Sequence, residues 1–371
     1  MKVLQLLSCR GWSSDAYWAA RVTRELGRAG DTVTLGCRAG TEARVIDRAR
    51  AMGVDRVVTF DFSSGVSPVS DVSDVRRLLG WLEDTDVVHV HRGKEHWLAA
   101  VANRLSRRPR PLVRTRHIAQ SVRMHAANRW LYRDATALTV TVTDAIRRQY
   151  IASGLGDPAR VVTLPGGADA EEYVPAPPSP ETRRELGAAN GVPLVGMVSG
   201  LRVMKGHRVV VAAAAALAGR GLRPHFAFVG TGSHTGAVRE AIARHGLDAQ
   251  FTLAGFVPDL AATIPSLDVA LYVPLESDGM SRVVFEYLAA GRALVASRVG
   301  VVAEILEDGV HALLVPAGDV DALADALERL LREPALRARL GEAGRRLVLD
   351  RYSGARLASA LRGHYARLTG S

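Results

Sequence analysis

Lysine, cysteine and long apolar runs are all scarce in this chain of 371 residues. The only lysines are Lys2, Lys94 and Lys205, so arginine carries nearly all of the positive charge. The two cysteines, Cys9 and Cys37, exclude a disulfide framework, and their places at the ends of predicted strands indicate buried thiols in a reducing cytoplasm. No segment approaches the roughly 20 apolar residues of a membrane-spanning helix, and the short apolar start predicts a first strand rather than a signal peptide.

The apolar content of 48% indicates a globular protein, and a chain of this length suits two domains of similar size. The net charge of +10 is uneven, because almost all of the excess lies in residues 1–170. Such a basic half attracts phosphorylated glycans, anionic lipid headgroups or nucleic acid, although an arginine-rich solvated surface is the simpler alternative. The arginine-rich segment 117–134 contains Trp130 and Tyr132, which predicts a helix that either lies on a membrane or packs in the core.

Strand-like and helix-like segments alternate in both halves of the chain. We predict strands at 2–8, 32–37, 56–60, 86–91, 111–116, 137–142, 160–164, 193–199, 225–229, 250–254, 268–273, 293–296 and 312–315. We predict helices at 15–29, 41–52, 71–83, 94–106, 119–133, 144–153, 206–219, 281–290, 319–332 and 354–368. Between the halves lies the proline-rich stretch 175–180, which cannot continue a regular element.

This alternation predicts an α/β protein with two Rossmann-like domains that face each other across a cleft. We place the first domain at residues 1–170 and a proline-rich linker at 171–192. The second domain follows at 193–353. The last segment, 354–371, is expected to form a helix that crosses back to the first domain.

Two carboxylates eight residues apart, Asp278 and Glu286, mark the strongest candidate site of the second half. A predicted buried strand precedes Asp278, and Glu286 lies on the helix that follows. An open parallel sheet binds its ligands at the carboxyl ends of its strands, and backbone amides at a helix start favour phosphate. A flanking carboxylate accepts hydrogen bonds from sugar hydroxyls. The stretch therefore suits a ligand that carries both groups.

Three further loops of the second half follow predicted strands. The first contains Arg202 and Lys205, two cations that can neutralise a leaving diphosphate. The second is a glycine-rich turn that includes Gly230. The third can offer backbone groups and an apolar wall to a nucleobase through Gly255, Phe256 and Val257.

Candidate residues of the first half also follow predicted strands. Gly11 allows backbone amides to approach a phosphate closely, and His117 can hydrogen-bond a sugar hydroxyl or a phosphate. The pair His89 and His91 has metal-ligand spacing but no clear third ligand, so we predict a core histidine at 89 and a cleft-facing one at 91. On the acceptor side the candidates are His91, Arg92, Arg116 and Arg123.

Taken in order, these motifs resemble glycosyltransferase family 4, the retaining glycosyltransferases of the GT-B fold. The resemblance covers nearly the whole chain and is strongest from Val195 to Asp319. The matching motifs are Lys205–His207, Val229–Gly232, Gly255–Asp259, Asp278–Glu286, Ala290–Val295, Gly309 and Leu313–Asp319.

The resemblance implies roles for the residues around the two carboxylates. The family's paired glutamates fall on Asp278, which would bind hydroxyls of the donor sugar, and Glu286, which would bind the ribose diol of the nucleotide. The aspartate is a departure from the family pattern, and its side chain is one methylene shorter. Sugar and phosphates would be held by the backbone amides of Gly279, Met280 and Ser281.

The resemblance also assigns the charged and histidine positions. Arg202 and Lys205 would stabilise the diphosphate leaving group, and Gly11 would contact the same phosphate from the first domain. His117 corresponds to a cleft histidine near the donor sugar. The family's usual paired glycines are missing from the N-terminal loop, which has Arg10-Gly-Trp-Ser13 instead.

Our hypothesis is a retaining transfer of a sugar from a nucleotide-diphosphate sugar to a hydroxyl of a cell-envelope glycan or lipid-linked acceptor. No metal or other cofactor is expected, and no nucleic-acid partner. We expect the protein in the cytoplasm, with contact to the inner face of the plasma membrane as an open alternative. Two other functions remain: another GT-B enzyme such as a sugar-nucleotide epimerase, or a non-catalytic basic module that binds membranes or nucleic acid.

Overall fold

The computed structural model describes residues 1–41, 43–118, 122–276 and 281–370. The chain divides into two compact units. The first comprises Met1–Gly166 together with Gly354–Ser371, and the second comprises Gly167–Ser353. Each unit is an α/β fold built on its own parallel sheet.

Seven parallel strands form the sheet of the first unit, in the order β3-β2-β1-β4-β5-β6-β7. All seven strands predicted here are confirmed, because short, mostly apolar and β-branched runs form strands that are buried on both faces of a parallel sheet. The strands are β1 (Lys2–Leu7), β2 (Thr32–Arg38), β3 (Val57–Phe60), β4 (Val87–Val90), β5 (Leu112–Arg116), β6 (Leu138–Thr141) and β7 (Val161–Thr163).

Helices connect these strands as crossovers. Five long or medium helices are α1 (Ser14–Arg28), α2 (Ala43–Ala51), α3 (Pro68–Glu83), α4 (Gly93–Leu105) and α6 (Asp144–Ala152). The helix predicted at 119–133 forms, within the described residues, as the short α5 (Ala126–Arg129), which runs on into a π-helical turn, Trp130–Asp134. Leu131 is buried, and Trp130 and Tyr132 pack against the same core. These aromatic side chains therefore belong to the core rather than to a membrane-facing surface.

The last helix, α15 (Gly354–Thr369), belongs to the first unit, as predicted. It packs along α1. Its fully buried Tyr365 hydroxyl lies 2.6 Å from His89 Nδ1 in β4, and Arg362 Nε lies 2.9 Å from Asp31 Oδ2. A segment more than 260 residues away in sequence thus completes the first unit by hydrogen bonding and charge pairing.

The second unit has a six-stranded parallel sheet in the order β10-β9-β8-β11-β12-β13. Its strands confirm the six that we predicted: β8 (Leu194–Val198), β9 (His225–Val229), β10 (Phe251–Gly255), β11 (Val269–Tyr272), β12 (Ala293–Ser297) and β13 (Leu313–Val315). The predicted helices appear as α8 (His207–Gly219), α11 (Arg282–Ala289) and α13 (Val320–Arg332). Helices that we did not predict are α7 (Pro180–Glu185), α9 (Thr235–Arg244), α10 (Leu260–Thr263), α12 (Val301–Ile305) and α14 (Pro334–Leu347).

The segment 171–192 lies in the second unit and contains α7. Pro180 occupies the first turn of this helix, where its missing N–H costs nothing, and the Ser179 hydroxyl accepts a hydrogen bond from the Thr182 amide. The Arg183 guanidinium lies 3.0 Å from Asp268 Oδ2 just before β11. These bonds hold the proline-rich segment against the second sheet.

Both sheets have the strand order that creates a binding crevice. In each sheet, the second and third strands are added on one side of the first strand, and all later strands are added on its other side. The switch points lie between β1 and β4 in the first unit and between β8 and β11 in the second. Ligands of open α/β sheets bind beside such points, at the carboxyl ends of the strands.

Candidate functional site

At the switch point of the second unit, the loop after β8 places two cations. Arg202 is exposed, and Lys205 is buried at the end of a single 3₁₀ turn, Val203–Lys205. The helix α8 begins two residues later, with His207 buried against the edge of Phe228 at a ring distance of 4.9 Å. Burial lowers the pKa of His207 to about 4, so it is neutral at pH 7. A neutral His207 adds no positive charge to those of Arg202 and Lys205.

The loops around this switch point are fastened to one another by their backbones. The Leu275 amide donates to the Met204 carbonyl at 2.8 Å, which joins the loop after β8 to the loop after β11. Gly206 has a φ of +80°, and a Cβ at this position would lie 2.0 Å from the Val273 carbonyl oxygen. Only glycine fits this left-handed conformation and this close approach. The position of Lys205 beside β11 therefore depends on its neighbouring glycine.

Helix α11 brings Glu286 to the same switch point. Glu286 is 1% exposed, and its Oε1 lies 2.7 Å from Arg282 Nε one turn earlier. Next to it, the Tyr287 hydroxyl accepts a 2.6 Å hydrogen bond from the amide of Val198, the last residue of β8. Ser281 is buried at the start of the helix. The bond to β8 fixes the helix, and hence the buried carboxylate, beside the loop that carries Lys205.

Three of the predicted site residues, Asp278, Gly279 and Met280, lie outside the described residues. Their predicted roles toward the donor sugar and phosphates stay predictions.

The loops after β9 and β10 border the loop after β8. Gly230 donates its amide to the Gly255 carbonyl at 2.7 Å, and a Cβ on Gly230 would lie 2.1 Å from the Ser199 carbonyl. Phe256 is 68% exposed, an unusual state for so large an apolar side chain, and Val257 beside it is half-buried. An exposed aromatic ring at a strand end is a surface on which a flat apolar ligand can pack.

In the first unit, a hydrogen-bonded ion pair spans the switch point. Arg92, just after β4, donates from Nε to Asp15 Oδ2 in the first turn of α1 at 2.5 Å. Burial opposes ionisation of Asp15, but the hydrogen bonds from Arg92 and Ser13 and the nearby positive charge together outweigh it and lower the pKa of the carboxyl to about 2. The pair ties the loop that contains Gly11 to the end of β4.

Behind this pair lies a row of polar side chains from three strands. Gln5 Oε1 lies 2.8 Å from His91 Nε2, and His91 Nδ1 lies 3.2 Å from His117 Nε2. The ring of Trp18 packs against His91 and His117 at 5.3 and 5.6 Å. Because a carbonyl oxygen only accepts, His91 Nε2 carries the hydrogen and donates to Gln5, and His91 Nδ1 accepts a hydrogen bond from His117 Nε2. His117 Nδ1 is then an acceptor, and it finds no partner in the described part of the chain.

The row gives His117 and His91 different capacities. His117 is half-buried and its Nδ1 is ready to accept a hydrogen bond from a hydroxyl. His91 is 2% exposed and uses both nitrogens on Gln5 and His117, so it orients His117 rather than facing a ligand. Two further acceptor-side candidates lie apart from the row. Arg116 is buried over the Tyr150 ring, at 5.4 Å, and Arg123 is exposed in the segment before α5.

The buried histidines of the first unit predict a loss of stability in mild acid. Burial lowers the pKa of His89 to about 3 and that of His117 to about 4. Between these values and the ordinary pKa near 6.5, the unfolded chain binds protons that the folded chain does not. Stability is therefore full above pH 6.5 and declines as the pH falls. At pH 5 we expect His89 alone to cost about 2 kcal/mol.

Urea unfolding at pH 7.5 and pH 5 measures this effect. His89→Gln is expected to be less stable at pH 7.5 but to lose less on acidification than the wild type. His117→Gln serves as a second variant if the first does not fold. Equal stability of the wild type at both pH values would contradict the prediction.

Within the described ranges, no group of three or more histidine, cysteine, aspartate or glutamate side chains is placed to hold a metal ion. The expectation that no metal is needed stays a prediction. Nor does any described helix have the length and apolar character to cross a membrane.

The two parallel-sheet units define the GT-B class of fold. The chain superposes on the Anabaena protein HepE, solved in complex with UDP and glucose, with a TM-score of 0.80 over 99% of this chain and 100% of that one. At 19% identity this likeness shows the fold alone. Sequence models add the family. The model for Glycosyltransferase Family 4 matches residues 16–172 and that for Glycosyl transferases group 1 matches residues 192–333. The chain belongs to this family of glycosyltransferases.

Curated relatives match part of the chain. A 2-deoxystreptamine glucosyltransferase of Streptomyces kanamyceticus is 30% identical over 250 residues, which are 66% of this chain and 64% of that protein. A GDP-mannose-dependent alpha-(1-6)-phosphatidylinositol monomannoside mannosyltransferase of Mycolicibacterium smegmatis is 30% identical over 236 residues, 60% of this chain and 62% of that protein. The chain thus spans somewhat less than two thirds of the length of these relatives.

Sequence reasoning missed several residues of these sites. Gln5 is a lone polar residue inside an apolar strand, and that pattern could have marked it as functional. Asp15 follows the Gly11 loop at the start of a helix, where a carboxylate is usually only a favourable first-turn charge. Its pairing with Arg92 depends on the strand order β1-β4, which sequence spacing does not reveal.

Proposed function

We propose that this protein transfers a sugar from a nucleotide-diphosphate sugar to a hydroxyl group of an acceptor, with retention of the anomeric configuration. One observation carries the proposal. At the switch point of the second unit, the loop of Arg202 and Lys205 is hydrogen-bonded to the loop after β11, beside the buried Glu286. Cations for a diphosphate and a carboxylate for a ribose are the groups that a nucleotide sugar requires.

The donor is proposed to bind the second unit in an extended arrangement. Its base packs on Phe256 and Val257, its ribose hydroxyls donate to Glu286, and its diphosphate lies at Arg202 and Lys205. The HepE protein, which has the same fold, was solved with UDP and glucose, and the Mycolicibacterium relative uses GDP-mannose by its name. Both support a nucleotide-diphosphate sugar as the class of donor.

The chemistry follows from where charge develops. As the bond between sugar and phosphate breaks, negative charge builds on the leaving diphosphate, and Lys205 and Arg202 stabilise it. The acceptor hydroxyl attacks the face that the phosphate leaves, and its proton passes to the departing phosphate oxygen. The lone pair on His117 Nδ1, in the first unit, can accept a hydrogen bond from a sugar hydroxyl. Cationic side chains take the place of a metal in this scheme.

The acceptor is proposed to be a glycan or lipid-linked molecule of the cell envelope, bound by the basic first unit on the cytoplasmic side of the plasma membrane. The excess of arginine in residues 1–170 supports an acidic acceptor or an anionic surface. The phosphatidylinositol mannoside acceptor in the Mycolicibacterium relative's name supports the lipid-linked class.

A nucleotide-sugar screen tests the proposal. The correct donor at roughly 100 times its Kd is expected to stabilise the protein by about 2.7 kcal/mol, seen as a higher Tm. Incubation with that donor and candidate acceptors is expected to release nucleoside diphosphate and form a product whose anomeric coupling matches the donor, with or without EDTA. An acceptor-independent change of the sugar would identify an epimerase instead, and the absence of stabilisation by any nucleotide sugar would overturn the proposal.

A further inference from the structure

A basic pocket of about 670 Å³ opens at the carboxyl ends of β1 to β4 in the first unit. Four of its lining residues are cations, a share that ordinary ligand pockets, which are mostly apolar, do not have. We infer that this pocket binds a phosphate group carried by the acceptor. The inference rests on the proposed function and specifies the chemical class of its acceptor. The lining residues are Ser8, Arg10, Gly11, Trp12, Ser13, Arg38, Phe62, Ser63, Ser64, Gly65, Arg92 and Lys94.

Among the described residues, only two of the four cations of the pocket pair with a carboxylate. Arg92 pairs with Asp15, and Lys94 Nζ lies 2.5 Å from Asp71 Oδ1. Arg10 and Arg38 instead both donate to the Ser64 hydroxyl, and the described residues offer neither of them a carboxylate within 4 Å. No acidic side chain occurs among the described residues that line the pocket. Two guanidinium groups that converge on one hydroxyl form a site with net positive charge.

The other lining groups suit phosphate oxygens. Serines at positions 8, 13, 63 and 64 line the same pocket. The helices α1 and α4 begin at Ser14 and Gly93, next to lining residues, so two positive helix ends lie at the pocket. A guanidinium forms two parallel hydrogen bonds with a phosphate or a carboxylate. A phosphate group, with three oxygens and up to two negative charges, can pair with both arginines at once, which a single carboxylate or a neutral sugar cannot do as well.

The volume of the pocket is large enough for a phosphorylated organic molecule. Its volume is that of a site for a small organic molecule rather than for one phosphate. The half-buried ring of Trp12 stands at the pocket and offers an apolar face for a sugar or polyol ring. The donor diphosphate already has Arg202 and Lys205 in the second unit. A second set of cations, at the carboxyl ends of another sheet, is therefore assigned to the acceptor.

Calorimetric titration of the full chain with inorganic phosphate tests whether the pocket binds phosphate, and it does not depend on turnover. The double variant R10Q/R38Q is expected to weaken phosphate binding about 10-fold or more, since it removes both guanidinium donors that converge in the pocket. The matched control is Arg107→Gln, which removes an exposed arginine just after the C-terminal end of α4, whereas Arg92 and Lys94 of the pocket lie at the start of that helix. This variant should leave binding unchanged. Equal phosphate binding in the wild type and the double variant would overturn the inference.

Two further experiments show whether the phosphate belongs to a lipid or to a soluble acceptor, and whether the pocket binds the acceptor or the donor. Vesicles of phosphatidylcholine with phosphatidylinositol are expected to bind the wild type more than R10Q/R38Q if the phosphate is lipid-borne, and equally if it belongs to a soluble acceptor.

In turnover, the double variant should raise the KM of a phosphorylated acceptor about 10-fold and leave the KM of the donor unchanged. A raised donor KM with an unchanged acceptor KM would assign the pocket to the donor and overturn the inference. Loss of turnover with every acceptor would count against the proposed function, whereas the phosphate titration still decides on the pocket.

Discussion

Lys205→Ala is expected to lower kcat about 100- to 1000-fold while the KM of the donor changes little. The side chain is buried at the switch point of the second sheet, held by the turn Val203–Lys205 and by Gly206 against Val273. A fixed cation in such a place acts mainly on charge that develops as the diphosphate leaves, so its removal affects the transition state more than the bound donor. Steady-state kinetics with the donor found by the screen measures both constants.

The control for this variant is Arg208→Ala, which removes an exposed cation from the first turn of α8, three residues after Lys205. It should retain full activity and a similar Tm. Lys205→Arg keeps the charge but not the compact ammonium, and an intermediate kcat is expected. A variant Lys205→Ala that is folded and turns over at the wild-type rate would remove Lys205 from the mechanism.

Glu286→Gln is expected to weaken nucleotide-sugar binding about 10- to 100-fold. The substitution preserves shape but replaces a carboxylate, which accepts strong hydrogen bonds from both ribose hydroxyls, with an amide that has one weaker acceptor. Because Glu286 is buried and paired with Arg282, the change also removes the partner of a cation. Calorimetric titration with the nucleoside diphosphate measures the affinity, and Tm reports the cost to folding.

Glu307→Gln provides the matched comparison, since Glu307 is exposed and lies outside the switch point. It should bind the nucleotide as the wild type does. Should Glu286→Gln bind the nucleoside diphosphate with wild-type affinity, the carboxylate would have another role, and the ribose assignment implied by the family would fall. Glu286→Gln and Lys205→Ala together distinguish two roles. Glu286 is expected to contribute to nucleotide binding, and Lys205 is expected to stabilise the leaving group.

The strands of both sheets could be predicted because they are short, mostly apolar runs buried on both faces. Runs such as Val87–Val90 and Val269–Tyr272 have few other ways to bury their side chains. Helix ends were harder. The helix expected at 119–133 starts at Ala126 in the described residues, and α14 was missed because its apolar positions are spread among arginines.

Some residues of the candidate sites could be predicted from the sequence, and others could not. Arg202, Lys205 and Glu286 all belong to the series of motifs in the second half of the chain, so the sequence revealed them together. The phosphate pocket joins Arg10, Arg38, Arg92 and Lys94 from three separate loops, and only the strand order brings them to one edge. The hydrogen-bonded row Gln5–His91–His117 likewise depends on the adjacency of β1, β4 and β5. Sequence identifies side chains well but does not reveal which distant ones meet.

The place of α15 has a consequence for the order in which the molecule can fold during synthesis. The second unit is continuous, Gly167–Ser353, whereas the first needs Gly354–Thr369 to cover α1 and to reach His89 and Asp31. A ribosome therefore releases every residue of the second unit before the first unit can be complete, although the first was begun earlier. Until α15 has been synthesised, the first unit exposes the face of α1 that α15 covers. The second unit, although it is synthesised later, can therefore complete its folding first.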